Sequence, residues 1–564
     1  MKYFARQLLG LGAVLGIMSL SEQVRGNNYP EVVTSLGTIK GTKMTSYHGK
    51  SFSAFRGIRY AQPPVAELRF KPPVPVHPWT DTFDATDDGP MCPQPFTNQT
   101  LIDEDCLRLN IYTSNLPATG KLKSVLVYLH PGGFWAVGSS SQYFAGPNYL
   151  MDNDLVFVSL NYRLGSLGFM STGTADCPGN NGLKDQVMAF KFLRSHIEKF
   201  GGNPNDITLM GYSAGAMSIS MHLVSPMSEG LFHKAIVMSS AATGQWENPV
   251  HQLHLAKKQA RIFNCSDDSV GDMIECLRKV DGNEFGIRLK EMFEVFDYQP
   301  TLLWIPVIEP DFGQERFLVE DPTLSFYEGR FQKVPIISGI IKLEFAQYAI
   351  STLNNTERRE QMDSNWDTLA PICFQYERDT QRSENISRAL RKAYLDFALT
   401  DKRALEGLNL VYADSLIIFS VLRFIRLASR HTPVYSYMNT YVGNRSHTYY
   451  PDDKTPYGPV HHDDLIYLIT GKGSLPEFDT LDSKQITKAT GLWTAFVQNG
   501  NPNEGVGKTV LMDVEWKLRT DDRDYYLEIG KEFHLRENLF TERFELWDQL
   551  FPLERRLNLT KPVE

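Results

Sequence analysis

The chain has 564 residues and a formal net charge of −9, with 42% hydrophobic and 22% charged residues. That length allows one large α/β domain or several ordinary ones. The balance of apolar and charged residues, with no low-complexity tract or internal repeat, excludes a disordered chain or a solenoid, and the acidic charge argues against a nucleic-acid partner.

Residues 1–26 carry Lys2 and Arg6, then the apolar run Leu8–Leu20, then small residues suited to cleavage between about 21 and 26. This order predicts a secretory signal peptide, because the apolar run is shorter than the ~20 residues of a membrane-spanning helix. Its removal takes the net charge to −11. No second apolar span of transmembrane length is read downstream, and the C-terminal residues carry neither a lipid-anchor tail nor a retention signal. The expectation is a secreted, extracellular protein with no membrane anchor, its residues 27–564 forming one domain.

An oxidising compartment favours bridged cysteines over free thiols or metal sites. Cys92 with Cys106, and Cys265 with Cys276, are close enough in sequence for local staples, although six cysteines allow fifteen connectivities. Cys177 and Cys373 remain, either as a third bridge or as two buried thiols. Asn-x-Ser/Thr sequons begin at Asn98, Asn264, Asn354, Asn385, Asn444 and Asn558, sites that secretion would expose to glycosylation.

Short apolar strands are predicted at Ser124–Leu129, Leu155–Leu160, Ile207–Met210, Ala235–Met238, Val334–Ile337 and Val434–Met438. Between the second and third, Val187, Phe190, Leu193 and Ile197 recur at helical spacing, which predicts a crossover helix over Asp185–Phe200. Strand and helix alternate, so the fold class is α/β, a central mostly parallel sheet flanked by helices. After Met238 the strands lie about 100 residues apart, and helical patterns at Val250–Phe263, Gly271–Val280, Asn385–Leu399 and Ala404–Ser429 fill the intervals. Large helical insertions at strand ends are where such folds build a gorge.

The most informative segment is Gly211-Tyr212-Ser213-Ala214-Gly215, set between the strand at 207–210 and a small-residue helix start at Ala214–Leu223. Strand, tight turn and helix make a nucleophile elbow, with the Ser213 hydroxyl exposed at the turn. A serine needs a base, and the base an acid that fixes its tautomer. In the α/β-hydrolase order both follow the serine. The base candidate lies in Val460-His461-His462-Asp463-Asp464, after the last predicted strand. These four side chains could also be read as a metal site, but consecutive residues rarely converge and no companion motif completes a shell, so no metal is expected. Glu344 directly follows the strand at 334–337 and is the candidate acid, whereas Glu309 and Asp311 precede that strand and read as ordinary loop or helix-start charges. Donors for an oxyanion are the N–H groups of Gly132, Gly133 and Ala214, the first two in His130-Pro131-Gly132-Gly133 at the end of the strand at 124–129.

Further motifs run through the chain: Phe55-Arg56-Gly57-Ile58 with Tyr60-Ala61 and Pro63-Pro64, then Leu68-Arg69-Phe70; Glu104-Asp105-Cys106-Leu107 with Leu109-Asn110-Ile111-Tyr112; Asn161-Tyr162-Arg163-Leu164-Gly165 with Gly168-Phe169; and Gly179-Asn180-Asn181-Gly182-Leu183-Lys184-Asp185-Gln186. With the elbow, they resemble the type B carboxylesterase and cholinesterase family of α/β-hydrolases over nearly the whole mature chain, most closely its secreted insect carboxylesterases of venom and haemolymph. The resemblance implies a catalytic set of Ser213, Glu344 and His461, supports both cysteine pairs, and needs no cofactor. It implies a serine ester hydrolase that works through an acyl-enzyme on small to medium carboxylic esters, with a small-molecule ester substrate as the expected partner.

Three departures narrow the resemblance. Pro131 opens a loop that has three glycines in the family. Tyr212 stands where cholinesterases carry glutamate and juvenile hormone esterases usually glutamine. The 92–106 loop has no tryptophan to bind a choline cation, which disfavours a cholinesterase. Juvenile hormone esterase and lipase activities are narrower alternatives. A non-catalytic adhesion protein on the same fold is an alternative of another class, opposed by the retained triad candidates. Trp135, Trp304 and Phe312 are read either as gorge walls or as core.

Overall fold

The computed structural model describes residues 29–559 apart from 96–97, 119, 297, 451–454 and 472–474. The expected signal peptide lies outside the described residues. A central sheet of eleven strands runs through the molecule, labelled here in chain order as β1 (Thr42–Thr45), β2 (Ser51–Arg59), β3 (Arg108–Thr113), β4 (Lys123–Leu129), β5 (Val156–Leu160), β6 (Gly202–Tyr212), β7 (Lys234–Met238), β8 (Ile336–Ile341), β9 (Val434–Asn439), β10 (Tyr525–Ile529) and β11 (Phe533–Glu537). Their spatial order is β1-β2-β3-β5-β4-β6-β7-β8-β9-β10-β11. From β5 to β10 every neighbouring pair is parallel, and the outer pairs are antiparallel. A separate sheet joins Glu31–Thr34, Gly37–Lys40 and Phe83–Asp84.

The central stretches of the parallel strands β4 to β9 are largely apolar because both faces are covered. Along β4, Val125, Val127 and Leu129 enter one hydrophobic cluster while Leu126 and Tyr128 enter the other. Ala235 and Val237 of β7 alternate with Ile236 and Met238 in the same way, so the sheet separates two cores. Helix α1 (Asn181–His196) carries the chain from β5 to β6 and buries Leu183, Val187, Phe190 and Leu193 at helical spacing. Arg163 holds its first turn by pairing with Asp185 at 2.6 Å. Helix α2 (Ala214–Val224) leaves the end of β6.

The six predicted strands all form, with shifted ends. The strand predicted at Val334–Ile337 begins instead at Ile336, since Pro335 has no N–H for the ladder, and it runs on to Ile341. Helices predicted at Val250–Phe263, Gly271–Val280 and Asn385–Leu399 form at Leu253–Ile262, Val270–Lys279 and Gln381–Tyr394. Two readings need correction. Glu309 is no ordinary loop charge: it is fully buried, pairs with Lys184 at 2.6 Å and accepts the Phe317 N–H at 2.9 Å. The stretch Ala404–Ala428 is, by length and hydropathy, long enough to cross a membrane, although none was read there; 94% of its most apolar part is buried inside the fold, which accounts for its composition.

Disulfides join Cys92 to Cys106 and Cys265 to Cys276, while Cys177 and Cys373 are buried thiols. Asn98, Asn264, Asn354, Asn385 and Asn444 are exposed. The Asn558 side chain lies outside the described residues.

Candidate active site

Ser213 joins β6 to α2 with φ 53° and ψ −120°, a backbone conformation that non-glycine residues rarely adopt. Its N–H is held by the Met238 carbonyl at 2.9 Å and its carbonyl by the Met217 N–H at 2.9 Å. The flanking glycines are required sterically. A Cβ on Gly211 would lie 2.3 Å from the Gly215 carbonyl oxygen, and one on Gly215 would lie 2.1 Å from that of Leu129. The elbow thus brings α2 directly against the end of β4.

Beyond β8, Glu344 is fully buried and divides its carboxylate between two partners. Oε1 accepts the Ile341 N–H at 2.9 Å, and Oε2 meets His461 Nδ1 at 2.5 Å. A carboxylate there fixes the tautomer with the proton on Nδ1, which leaves Nε2 as an acceptor. That Nε2 is buried and has no hydrogen-bond partner among the described residues. The ring is clamped by Phe345, stacked at 4.2 Å between centroids, and by Tyr212, edge-on at 5.1 Å.

Ser213, His461, Gly132, Gly133 and Ala214 line one cavity of about 340 Å³, with Glu344 behind His461. Gly132 and Gly133 have φ of +112° and +59°, and a Cβ on either would come within 2.0 Å of the Ala136 carbonyl oxygen or 2.6 Å of Trp135 Nε1. Only glycine fits this turn, and the Gly132 and Gly133 N–H groups take no acceptor among the described residues. Ala214 opens α2, so its N–H is an unsatisfied donor at the positive end of the helix dipole. His130 anchors the loop. Its ring stacks on Tyr162 at 4.3 Å and its Nδ1 meets the Pro131 carbonyl at 2.8 Å, while burial pushes its pKa down to about 4.

The insertions supply the rest of the wall: Thr301 and Leu302, Tyr348, Gln375, and Leu416 with Ile417. The last two project from a π-turn at Asp414–Ile418 within the apolar helix. Of the aromatic wall candidates, Trp135 lines the cavity, Trp304 is core, and Phe312 is on the surface.

Sequence reasoning missed the role of Tyr212, which appears there only as a departure. Its hydroxyl accepts the His462 N–H at 2.9 Å, tying the histidine loop to the residue before Ser213. The side chains at 461–464 do not converge on one point: the His461 and His462 rings lie together, centroids 4.3 Å apart, but His461 meets Glu344, Asp463 accepts from Ser446 Oγ and the His447 N–H at 2.6 and 2.7 Å, and Asp464 accepts from Tyr437 at 3.3 Å. Burial, then the neighbouring Glu344, lifts the Asp464 pKa to about 8, while burial and the other two histidines hold His462 well below its ordinary range.

The carboxylesterase family profile matches residues 28–547. A juvenile hormone esterase of Tribolium castaneum is 34% identical over 84% of this chain and 84% of its own length, and a carboxylic ester hydrolase of Bombus ignitus is 31% identical over 92% of each. The crystal structure of juvenile hormone esterase from Manduca sexta, with OTFP covalently attached, superposes with a TM-score of 0.81 at 26% identity, covering 93% of this chain and 99% of that one. With an α/β-hydrolase sheet and these matches along almost its whole length, the chain belongs to the carboxylesterase family and is an ester hydrolase.

Proposed function

We propose that the chain is a secreted serine carboxylesterase acting on small to medium esters through an acyl-enzyme. The observation that carries this reading is the strained Ser213 opening into the same cavity as an unpartnered His461 Nε2 whose other nitrogen is held by Glu344. Ser213 Oγ attacks the ester carbonyl as its proton passes to Nε2. The Gly132, Gly133 and Ala214 N–H groups receive the oxyanion, each such donor being worth roughly 10²–10³ in rate. Collapse breaks the bond to the alcohol, which leaves with the proton from His461. Water then attacks the acyl-enzyme, His461 takes its proton and returns it to Ser213 as the acid departs. The cavity volume lies within the ~300–1,000 Å³ of small-molecule sites, and Trp135, Phe345, Leu416 and Ile417 give it apolar walls.

Intact mass of the secreted protein after an organophosphonate probe tests the reading. One adduct on Ser213, absent from a folded Ser213→Ala variant that has lost turnover, is expected; undiminished turnover by that variant would overturn it. Juvenile hormone esterase activity is a narrower reading favoured by the Tribolium and Manduca relatives, and hydrolysis of juvenile hormone by the purified chain decides it.

A further inference from the structure

A second cavity, of about 520 Å³, abuts the first and shares Val137, Phe144 and His462 with it. Arg445 stands in its wall, and no aspartate or glutamate among the described residues lines it. In a chain with 66 acidic residues that combination is unexpected. Arg445 is half-buried beside the Tyr149 hydroxyl and makes no ion pair among the described residues. Two described acids of the same region, Asp463 and Asp482, are engaged elsewhere. Asp463 accepts from Ser446 Oγ, His447 N and Val460 N at 2.6, 2.7 and 3.1 Å; Asp482 accepts from Tyr441 Oη and Asn444 N at 2.9 and 3.2 Å. Leu465, Ile466 and Ile469 make much of the remaining wall apolar.

We propose that this chamber is an anion-accepting subsite and that the preferred esters carry a carboxylate remote from the scissile bond. The inference rests on Ser213 and His461 being the reacting pair, which sets the ester carbonyl in the cavity next door. A methylene chain lies along the shared Val137 and Phe144 and the apolar wall. Its terminal carboxylate meets the planar guanidinium, whose two parallel N–H groups match its oxygens.

The test uses monomethyl esters of dicarboxylic acids of increasing length, each paired with the methyl ester of the monocarboxylic acid of matching length. Wild type is compared with Arg445→Gln and Arg445→Lys in the full secreted chain. Arg445→Gln is expected to raise KM for the half-esters roughly 10–100-fold, the worth of a charged hydrogen-bond pair, with neutral esters unchanged within twofold and Arg445→Lys intermediate. Should Arg445→Gln not accumulate, added salt must raise the wild-type KM for half-esters alone. Equal effects on both ester classes, or on neither, overturn the inference. Neutral-ester turnover lost in Ser213→Ala upholds the catalytic reading whatever Arg445 does.

Discussion

Exchanging Glu344 for glutamine keeps the shape of the side chain and reverses one hydrogen bond. Because Oε1 accepts the Ile341 N–H at 2.9 Å, the amide oxygen of the substituted side chain must take that position. The opposite orientation sets two buried donors against each other, at a cost of about 1–3 kcal/mol. The amide nitrogen then occupies the Oε2 position, 2.5 Å from His461 Nδ1, as a donor. His461 is held with its proton on Nε2 and cannot accept the one on Ser213. The corresponding acid-to-amide exchange in a serine protease triad lowers kcat about 10⁴-fold, or about 5.5 kcal/mol at 1.36 kcal/mol per tenfold. A fall of roughly 10³–10⁴ in kcat/KM for p-nitrophenyl acetate is expected here, with little change in Tm. Activity within tenfold of wild type would refute the assignment of Glu344 and turn attention to Asp464.

Gly215→Ala places a methyl 2.1 Å from the Leu129 carbonyl oxygen and 2.9 Å from that of His130, so α2 or the end of β4 must move. Overpacking costs about 1–3 kcal/mol, and a displacement of ~1 Å between Ala214 and the Gly132-Gly133 turn costs roughly 10² in kcat; denaturant unfolding and kcat measure both, and wild-type values in each would contradict the packing argument. Burial lifts Asp464 from its ordinary 3.8 to about 8, so the folded chain keeps a proton that the unfolded chain releases. Stability from this group is full below about pH 4 and is lost as pH rises toward 8. Asp464→Asn should therefore show a smaller fall in Tm between pH 5 and 8 than wild type; superimposable curves would show that Asp464 does not titrate in that window.

What could be read from the sequence is what the backbone dictates. Gly211, Gly215, Gly132 and Gly133 each occupy a position where a Cβ meets main chain or a buried ring within 2.6 Å, so residue identity there encodes geometry directly. The parallel strands β4 to β9 were legible for a related reason, since burial on both faces makes them largely apolar runs, whereas the parallel β10, only partly buried, was not read. The strand β2 was not. It buries Arg56 in the sheet because its partners come from distant segments: Arg56 reaches the Thr86 carbonyl and Ser141, and the neighbouring Gly57 N–H meets Asn110 Oδ1 at 2.8 Å. A polar residue satisfied from afar breaks the apolar pattern by which strands are found.

The same limit separates the two halves of the site. Ser213 and Glu344 lie close after strand ends of the sheet, where position along the chain predicts position in space, while His461 lies in the long loop after β9 and was found by its motif. Arg445, Leu416, Ile417 and Gln375 face their cavities through insertions whose course no periodicity reports, and Leu416 and Ile417 do so through a π-turn that an apolar helical pattern conceals. Tyr212 belongs to both halves. It extends β6, precedes the serine, and ties down His462 through its hydroxyl, so the residue that departs from the cholinesterase pattern is the one that couples the elbow to the histidine loop. On the reading proposed above, the reacting groups sit near the sheet and the ester-contacting walls come from the insertions, which is why the elbow was readable at the outset and the anion-accepting chamber required the fold.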